Sequence, residues 1–189
     1  MQEDSLLQGR NVKILFKSAF IMLAAALIMA GCTKPYTITQ PLEEPVAQPA
    51  GIKVGNITDN LPMDMEDEKK PTVDDITKFR EAIEDELEKS DLFQLADSGQ
   101  SYEVRGSIIE YKRGSGFMRF MIGFGAGNAK VLTHLELVNV KTSRVIFGGD
   151  FSGMVESWAE SGAAMYARVA KDFAKQIKKQ SEEMSPTGD

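Results

Sequence analysis

The chain has 189 residues, 22 basic against 28 acidic, for a formal net charge of −6. That charge argues against nucleic acid or an anionic headgroup surface as a partner, because both repel an acidic protein. One cysteine, Cys32, excludes an intrachain disulfide, and one histidine, His134, leaves no cluster of His and Cys for a transition-metal site.

Arg10, Lys13 and Lys17 precede an apolar run, Ser18 to Met29, that closes on Ala30 and Gly31. The run is about a dozen residues long, well short of the ~20 that span a bilayer. It is apolar on every face, so it is not a surface helix with a solvent side. A basic start, a short apolar middle and small closing residues form the pattern of an export signal, here expected over residues 1–31. The boundary Ile28-Met29-Ala30-Gly31-Cys32 resembles the lipobox of bacterial lipoproteins. The resemblance implies diacylglyceryl transfer to the Cys32 sulfur, cleavage before it, and acylation of the new N-terminus by a fatty acid such as palmitate. A lone thiol in an exported chain is accounted for in this way. Each buried methylene contributes about 0.8 kcal/mol, and stable attachment needs more than one acyl chain. Thr33, not aspartate, follows the cysteine, so the expected location is the outer membrane, facing the periplasm.

Residues 32–50 carry Pro35, Pro41, Pro45 and Pro49, which oppose a regular helix and favour extended chain. They are expected to form a lipidated tether reaching up to roughly 50 Å at about 3.1 Å per residue. A single domain is expected over residues 51–183, with a disordered tail at 184–189. Without residues 1–31 the remaining 158 residues carry a net charge of −7.

Within the domain, Ile52 to Ile57 alternates like a strand, with Ile52, Val54 or Ile57 buried. Thr58 to Lys70 is acidic and loop-like. Asp64, Glu66, Asp67 and Glu68 lack the spacing of a calcium loop and read as a solvated cluster. Thr72 with Asp75 three residues on starts a helix, and Val73, Ile76, Phe79, Ile83 and Leu87 supply its buried stripe. Its acids, Glu81, Glu84, Asp85 and Glu88, lie on the polar face, where nothing desolvates one of them for acid-base work. Four extended segments follow: Phe93 to Ala96, Tyr102 to Tyr111, Lys130 to Val140 and Arg144 to Phe151. The last two are joined by the short polar turn Lys141-Thr142-Ser143. Tyr102, Val104, Gly106 and Ile108, then Val131, Leu135 and Leu137, then Val145, Phe147 and Phe151, are expected inward. A long helix, about Ser157 to Glu182, closes the chain on Trp158, Met165 or Tyr166, Val169, Phe173 and Ile177. Glu156 and Glu160 near its start and Lys175, Lys178 and Lys179 near its end would complement its dipole. The expected fold is α+β, order β-α-β-β-β-β-α, a mainly antiparallel sheet with two helices on one face.

His134 falls mid-strand beside Glu136, away from the inferred core, and no Gly-x-Ser-x-Gly elbow accompanies it. No catalytic residues, metal or cofactor are therefore expected. The segment Met118 to Lys130, MRFMIGFGAGNAK, is the remaining candidate. It fits neither a Walker loop, since Lys130 comes five places after Gly125, nor Gly-x-Gly-x-x-Gly, since Asn128 stands in the third position. A strand rather than a helix follows, so no nucleotide is expected. Phe117, Phe120, Gly123, Phe124, Gly125 and Gly127 are left as a close-packing strand or a contact for a partner or lipid.

The run GFGAGNAKVLTHLELVNVKTSRVIFGGDFSG, with Gly-x-Gly-x-Gly-x-Ala-Lys at Gly123 to Lys130, resembles the bacterial family labelled domain of unknown function 4410. In element order the chain is more loosely similar to the TolB N-terminal domain and the curli secretion lipoprotein. The family has no established activity, so the resemblance implies no catalytic residues. The function expected is a non-enzymatic envelope lipoprotein that binds an envelope protein or assembles with itself. The alternatives are a subunit of a secretion or pore assembly and a carboxylate-dependent envelope hydrolase.

Overall fold

The computed structural model describes residues 35–46, 48–114, 128–155 and 161–185. Among them the chain runs β1 (Tyr36–Gln40), β2 (Ala50–Asp59), α1 (Val73–Glu88), β3 (Phe93–Leu95), β4 (Tyr102–Lys112), β5 (Lys130–Asn139), β6 (Arg144–Met154) and α2 (Ala163–Met184). One sheet takes the order β1-β6-β5-β4-β2-β3. The β1/β6, β6/β5 and β5/β4 pairs are antiparallel, whereas β2 runs parallel to both β4 and β3. The α+β class and the expected order hold, with one more strand at the start and a mixed sheet. The parallel pairs follow from connectivity. A helix separates β2 from β3 and β4, and such a crossover returns the chain in the same direction.

Three bulges set which side chains reach the core. In β2 the register shifts between Val54 and Ile57, so Ile52, Val54 and Ile57 are all buried although strict alternation would put Ile57 outside. In β4 a shift after Ile108 brings Tyr111 inward. In β6 the shift lies opposite Leu137 and Val138, and Ile146 is buried where Val145 is only half-buried. The expectation for Val145 is corrected by that extra residue. The β5/β6 hairpin is as expected: the Asn139 carboxamide oxygen accepts from the Lys141 and Thr142 N–H groups, and Ser143 closes the turn at φ 57°.

Both helices cover one face. Thr72 and Asp75 form a reciprocal capping box at the start of α1, and Phe79, Ile83 and Leu87 are fully buried. Val73 is not part of that stripe; as the first helical residue it is 82% exposed. Along α2, Met165 and Tyr166 are both buried, with Val169, Phe173 and Ile177. Phe79 stacks on Tyr166 at 5.3 Å, and Phe173 meets Phe147 and Phe151 at 5.7 and 5.4 Å. Helix and sheet are so close that a Cβ on Gly153 would collide with the Met165 carbonyl. Helix α2 begins at Ala163, with no acid in its first turn and no base in its last. The expected dipole pairing of Lys175, Lys178 and Lys179 fails because the helix runs on to Met184. Glu156, Trp158 and Glu160 lie outside the described residues.

The tether reading is corrected from Pro35 onward. Tyr36–Gln40 is an edge strand on β6, and Leu42 and Val46 are buried in the core. Proline spacing favours extended chain, and extended chain can pair with a sheet edge as readily as it can span solvent. The backbone of this stretch is held by helix side chains: Leu42 N–H donates to Gln180 Oε1 at 2.7 Å, and Val46 N–H to Ser181 Oγ at 3.0 Å.

Candidate functional site

The face of the sheet away from the helices is polar. Cross-strand register places Ser107, His134 and Asp150 in one row on β4, β5 and β6, with Arg105, Glu136 and Gly148 in the next. A shallow groove of about 350 Å³ runs here, between Asn56, Thr58, Glu103, Arg105, His134 and Glu136. His134 is one-third exposed. Its Nδ1 lies 2.7 Å from Asp150 Oδ1, and its Nε2 lies 3.4 Å from Glu136 Oε1. A carboxylate only accepts, so each ring nitrogen can hydrogen-bond its carboxylate neighbour only by donating an N–H. Arg105 closes on Glu103 at 2.6 Å, and Lys130 on Glu110 at 2.8 Å.

Serine, histidine and aspartate thus come together, which sequence reading did not anticipate because they lie on three strands. They do not form a nucleophile and base. Among the described residues the Ser107 hydroxyl makes no hydrogen bond to the ring, whose Nε2 faces Glu136 instead. The strand position and exposure expected for His134 are as found, and no three His, Cys, Asp or Glu among the described residues converge as metal ligands. Of the acids at the 64–68 loop, Glu66 pairs with Lys69 and Asp67 with Lys70.

A second polar group sits where β4 meets the start of α1. Asp75 accepts from the Thr72 N–H and hydroxyl and from the Tyr111 hydroxyl at 3.3 Å, with Arg113 3.6 Å away. Burial works to raise the Asp75 carboxyl, but these donors outweigh it and hold the group below the usual carboxylate range. Tyr166 points toward Tyr111 and Asp75, yet its buried hydroxyl completes no hydrogen bond among the described residues. Burial, then the nearby Tyr111 and Asp75, pushes its phenol far above the ordinary value.

The lipidation candidate Cys32 and the segment candidates Phe117, Phe120, Gly123, Phe124, Gly125 and Gly127 all lie outside the described residues. Among the described residues no helix is long and apolar enough to cross a membrane.

No curated protein sequence matches the chain. Its fold is similar to that of PelC from Paraburkholderia phytofirmans, solved as a dodecamer, with a TM-score of 0.56 and 12% identity over 76% of this chain and 98% of that one. A single-substitution variant of the same dodecamer superposes with a TM-score of 0.52 and 10% identity, over 76% of this chain and 95% of that one. At such identity the likeness is one of fold. The family model of the domain of unknown function DUF4410 matches residues 46–172, from the buried end of the β1–β2 connection well into α2, and the chain belongs to that family.

Proposed function

We propose that this chain is a lipid-anchored, non-enzymatic lipoprotein of the bacterial envelope whose DUF4410 domain holds an envelope partner or further copies of itself. The observation that carries the reading is the sequence Met29-Ala30-Gly31-Cys32 at the end of a short apolar run, with the sole cysteine placed just ahead of a folded domain. Two or three acyl chains at Cys32 hold the domain at the outer membrane, facing the periplasm. Self-assembly is supported by the likeness in fold to a protein solved as a dodecamer.

Metabolic labelling with an alkyne palmitate tests the anchor. The chain is expected to be labelled and to sediment with outer membranes, and Cys32→Ala to lose both properties; a label that survives Cys32→Ala overturns the reading. Light scattering of the detergent-extracted chain tests assembly, and a strict monomer across micromolar concentrations removes the self-assembly arm. Photocrosslinkers at Phe117, Phe120 and Phe124 then test the partner arm. Bulky replacements at Gly123, Gly125 and Gly127 should leave a folded domain and abolish the crosslink.

A further inference from the structure

Where the fold begins limits how far the domain can stand from its anchor. Pro35 is held near the C-terminal end of β6, where its carbonyl accepts from the Ser152 N–H at 2.7 Å and from the Ser152 hydroxyl at 3.1 Å. Only Thr33 and Lys34 separate Pro35 from Cys32. Three Cα–Cα steps of about 3.8 Å reach at most about 11 Å. The sheet is far longer than that: β5 alone has ten residues, or about 33 Å at ~3.3 Å per residue. An acylated Cys32 therefore keeps one corner of the domain at the headgroups, and the surfaces beside that corner decide which of them meets the bilayer.

Strand register identifies those surfaces. Two residues beyond Ser152, Met154 ends β6 and pairs with Lys130 at the start of β5. Lys130 pairs in turn with Lys112 at the end of β4, and Arg113 follows. Met154 is 39% exposed. Lys130 and Arg113 each have a carboxylate neighbour, Glu110 and Asp75, whereas Lys112 is exposed and makes no ion pair among the described residues. Three bases against two acids leave this sheet end net positive. The polar face next to the same corner presents the Asp150 and Glu136 carboxylates, which an anionic layer repels. The chain's acids gather elsewhere. The close of α1, at the opposite end of the sheet, holds Glu84, Asp85, Glu86 and Glu88. The 64–68 acids follow β2, four strands from β1, or roughly 19 Å at ~4.8 Å per strand. A formal charge of −6 for the whole chain is thus compatible with a cationic surface beside the anchor.

We propose that the sheet end formed by Lys112, Arg113, Lys130 and Met154 docks on an anionic phospholipid headgroup layer, the one that holds the Cys32 acyl chains. The inference rests on acylation at Cys32 and adds which surface faces the lipid. Lysine and arginine close to a membrane surface attract anionic lipids, and an apolar side chain among them reaches the acyl boundary. The attraction fades over a Debye length of about 8 Å at physiological ionic strength, so the short span from Cys32 to Pro35 is what keeps it effective. The strands then rise from the bilayer, with the β5/β6 turn at Lys141 held farthest from it.

Acylation occupies the chain's sole thiol, so an introduced cysteine is the single labelling position. The full acylated chain is reconstituted into vesicles of phosphatidylethanolamine and phosphatidylglycerol. A fluorophore is attached at Met154→Cys or Lys141→Cys, and a headgroup-linked spin label serves as quencher. Quenching should be severalfold stronger at Met154→Cys than at Lys141→Cys. Adding Lys112→Glu, or replacing the lipid with phosphatidylcholine alone, should weaken quenching at Met154→Cys about twofold or more. Circular dichroism confirms that each variant is folded. Equal quenching at the two positions, or stronger quenching at Lys141→Cys, overturns the proposal. A pattern that neither Lys112→Glu nor phosphatidylcholine alters makes the short span alone responsible and overturns the docking surface as well. A chain that fails to float with the vesicles refutes acylation, and the proposal falls with it. A chain that floats but shows the wrong pattern refutes the proposal alone.

Discussion

At the scale of single residues, the polar group between α1 and β4 contains one member that works for stability and one that works against it. The Asp75 carboxylate accepts from Thr72 and Tyr111 and is held below the usual range in the folded state. A depressed folded value contributes stability above the unfolded carboxylate value, about 3.9, which is lost as pH falls through the folded value. Asp75→Asn should therefore cost about 1 kcal/mol at pH 7, the usual worth of a cap. In urea melts the gap to the parent should close between roughly pH 5 and pH 2. A gap that stays constant with pH would show that the carboxylate charge contributes nothing. Tyr166 is the opposite case. Its ring is fully buried against Phe79, but its hydroxyl has no partner among the described residues. Tyr166→Phe keeps the stacking and removes an unmet donor, so stability should be unchanged or rise by up to about 2 kcal/mol. A clear loss would mean that the hydroxyl is bonded after all.

At the scale of elements, the connection from β1 to β2 shows where pattern reading succeeds and where it stops. Periodicity placed both helices and β2, β4, β5 and β6, because each has a buried face that repeats in its own sequence, whereas β3, with only Phe93 of its three residues buried, was expected as an extended segment without such a repeat. It missed β1, whose five residues are alternately half-buried and exposed at a sheet edge and carry no strong apolar signal. It also missed the bulge in β6, since the extra residue is defined by register against β5. The Ser107–His134–Asp150 row was invisible for the same reason. The His-x-Glu spacing on one strand face was there to read, but Asp150 joins it only through the β5/β6 pairing. The β1–β2 connection is held by contacts that no local pattern encodes. Ser181 is fully buried on α2, and its hydroxyl receives the buried Val46 N–H. Ser181→Ala leaves that N–H without a partner and should cost about 1–3 kcal/mol. The loss is to be read as a lower urea midpoint with an unchanged slope, since the compactness of the unfolded chain is not altered.

At the scale of the whole molecule, the question is where the folding unit begins. Proline content suggests residue 51, whereas the geometry puts the start at Pro35. A fragment of residues 33–189 retains β1, Leu42 and Val46; a fragment of residues 51–183 loses all three. Without β1, β6 becomes an open edge with unpaired backbone groups, a template for association between copies. Without Leu42 and Val46, a side of the core next to the end of α2 is uncovered, and Gln180 and Ser181 lose the N–H groups they accept. Removing one buried leucine alone costs about 2–5 kcal/mol. Total stabilities are about 5–15 kcal/mol, so a loss of that size takes a substantial part of the shorter fragment's margin. The longer fragment is expected to be monodisperse or to form a discrete assembly, and to unfold at the same urea midpoint as the detergent-extracted chain. The shorter one should unfold at clearly lower urea and aggregate on concentration. Sedimentation velocity and urea melts on the two fragments decide the matter. Equal midpoints and equal solubility would return residues 35–50 to the role of a passive tether.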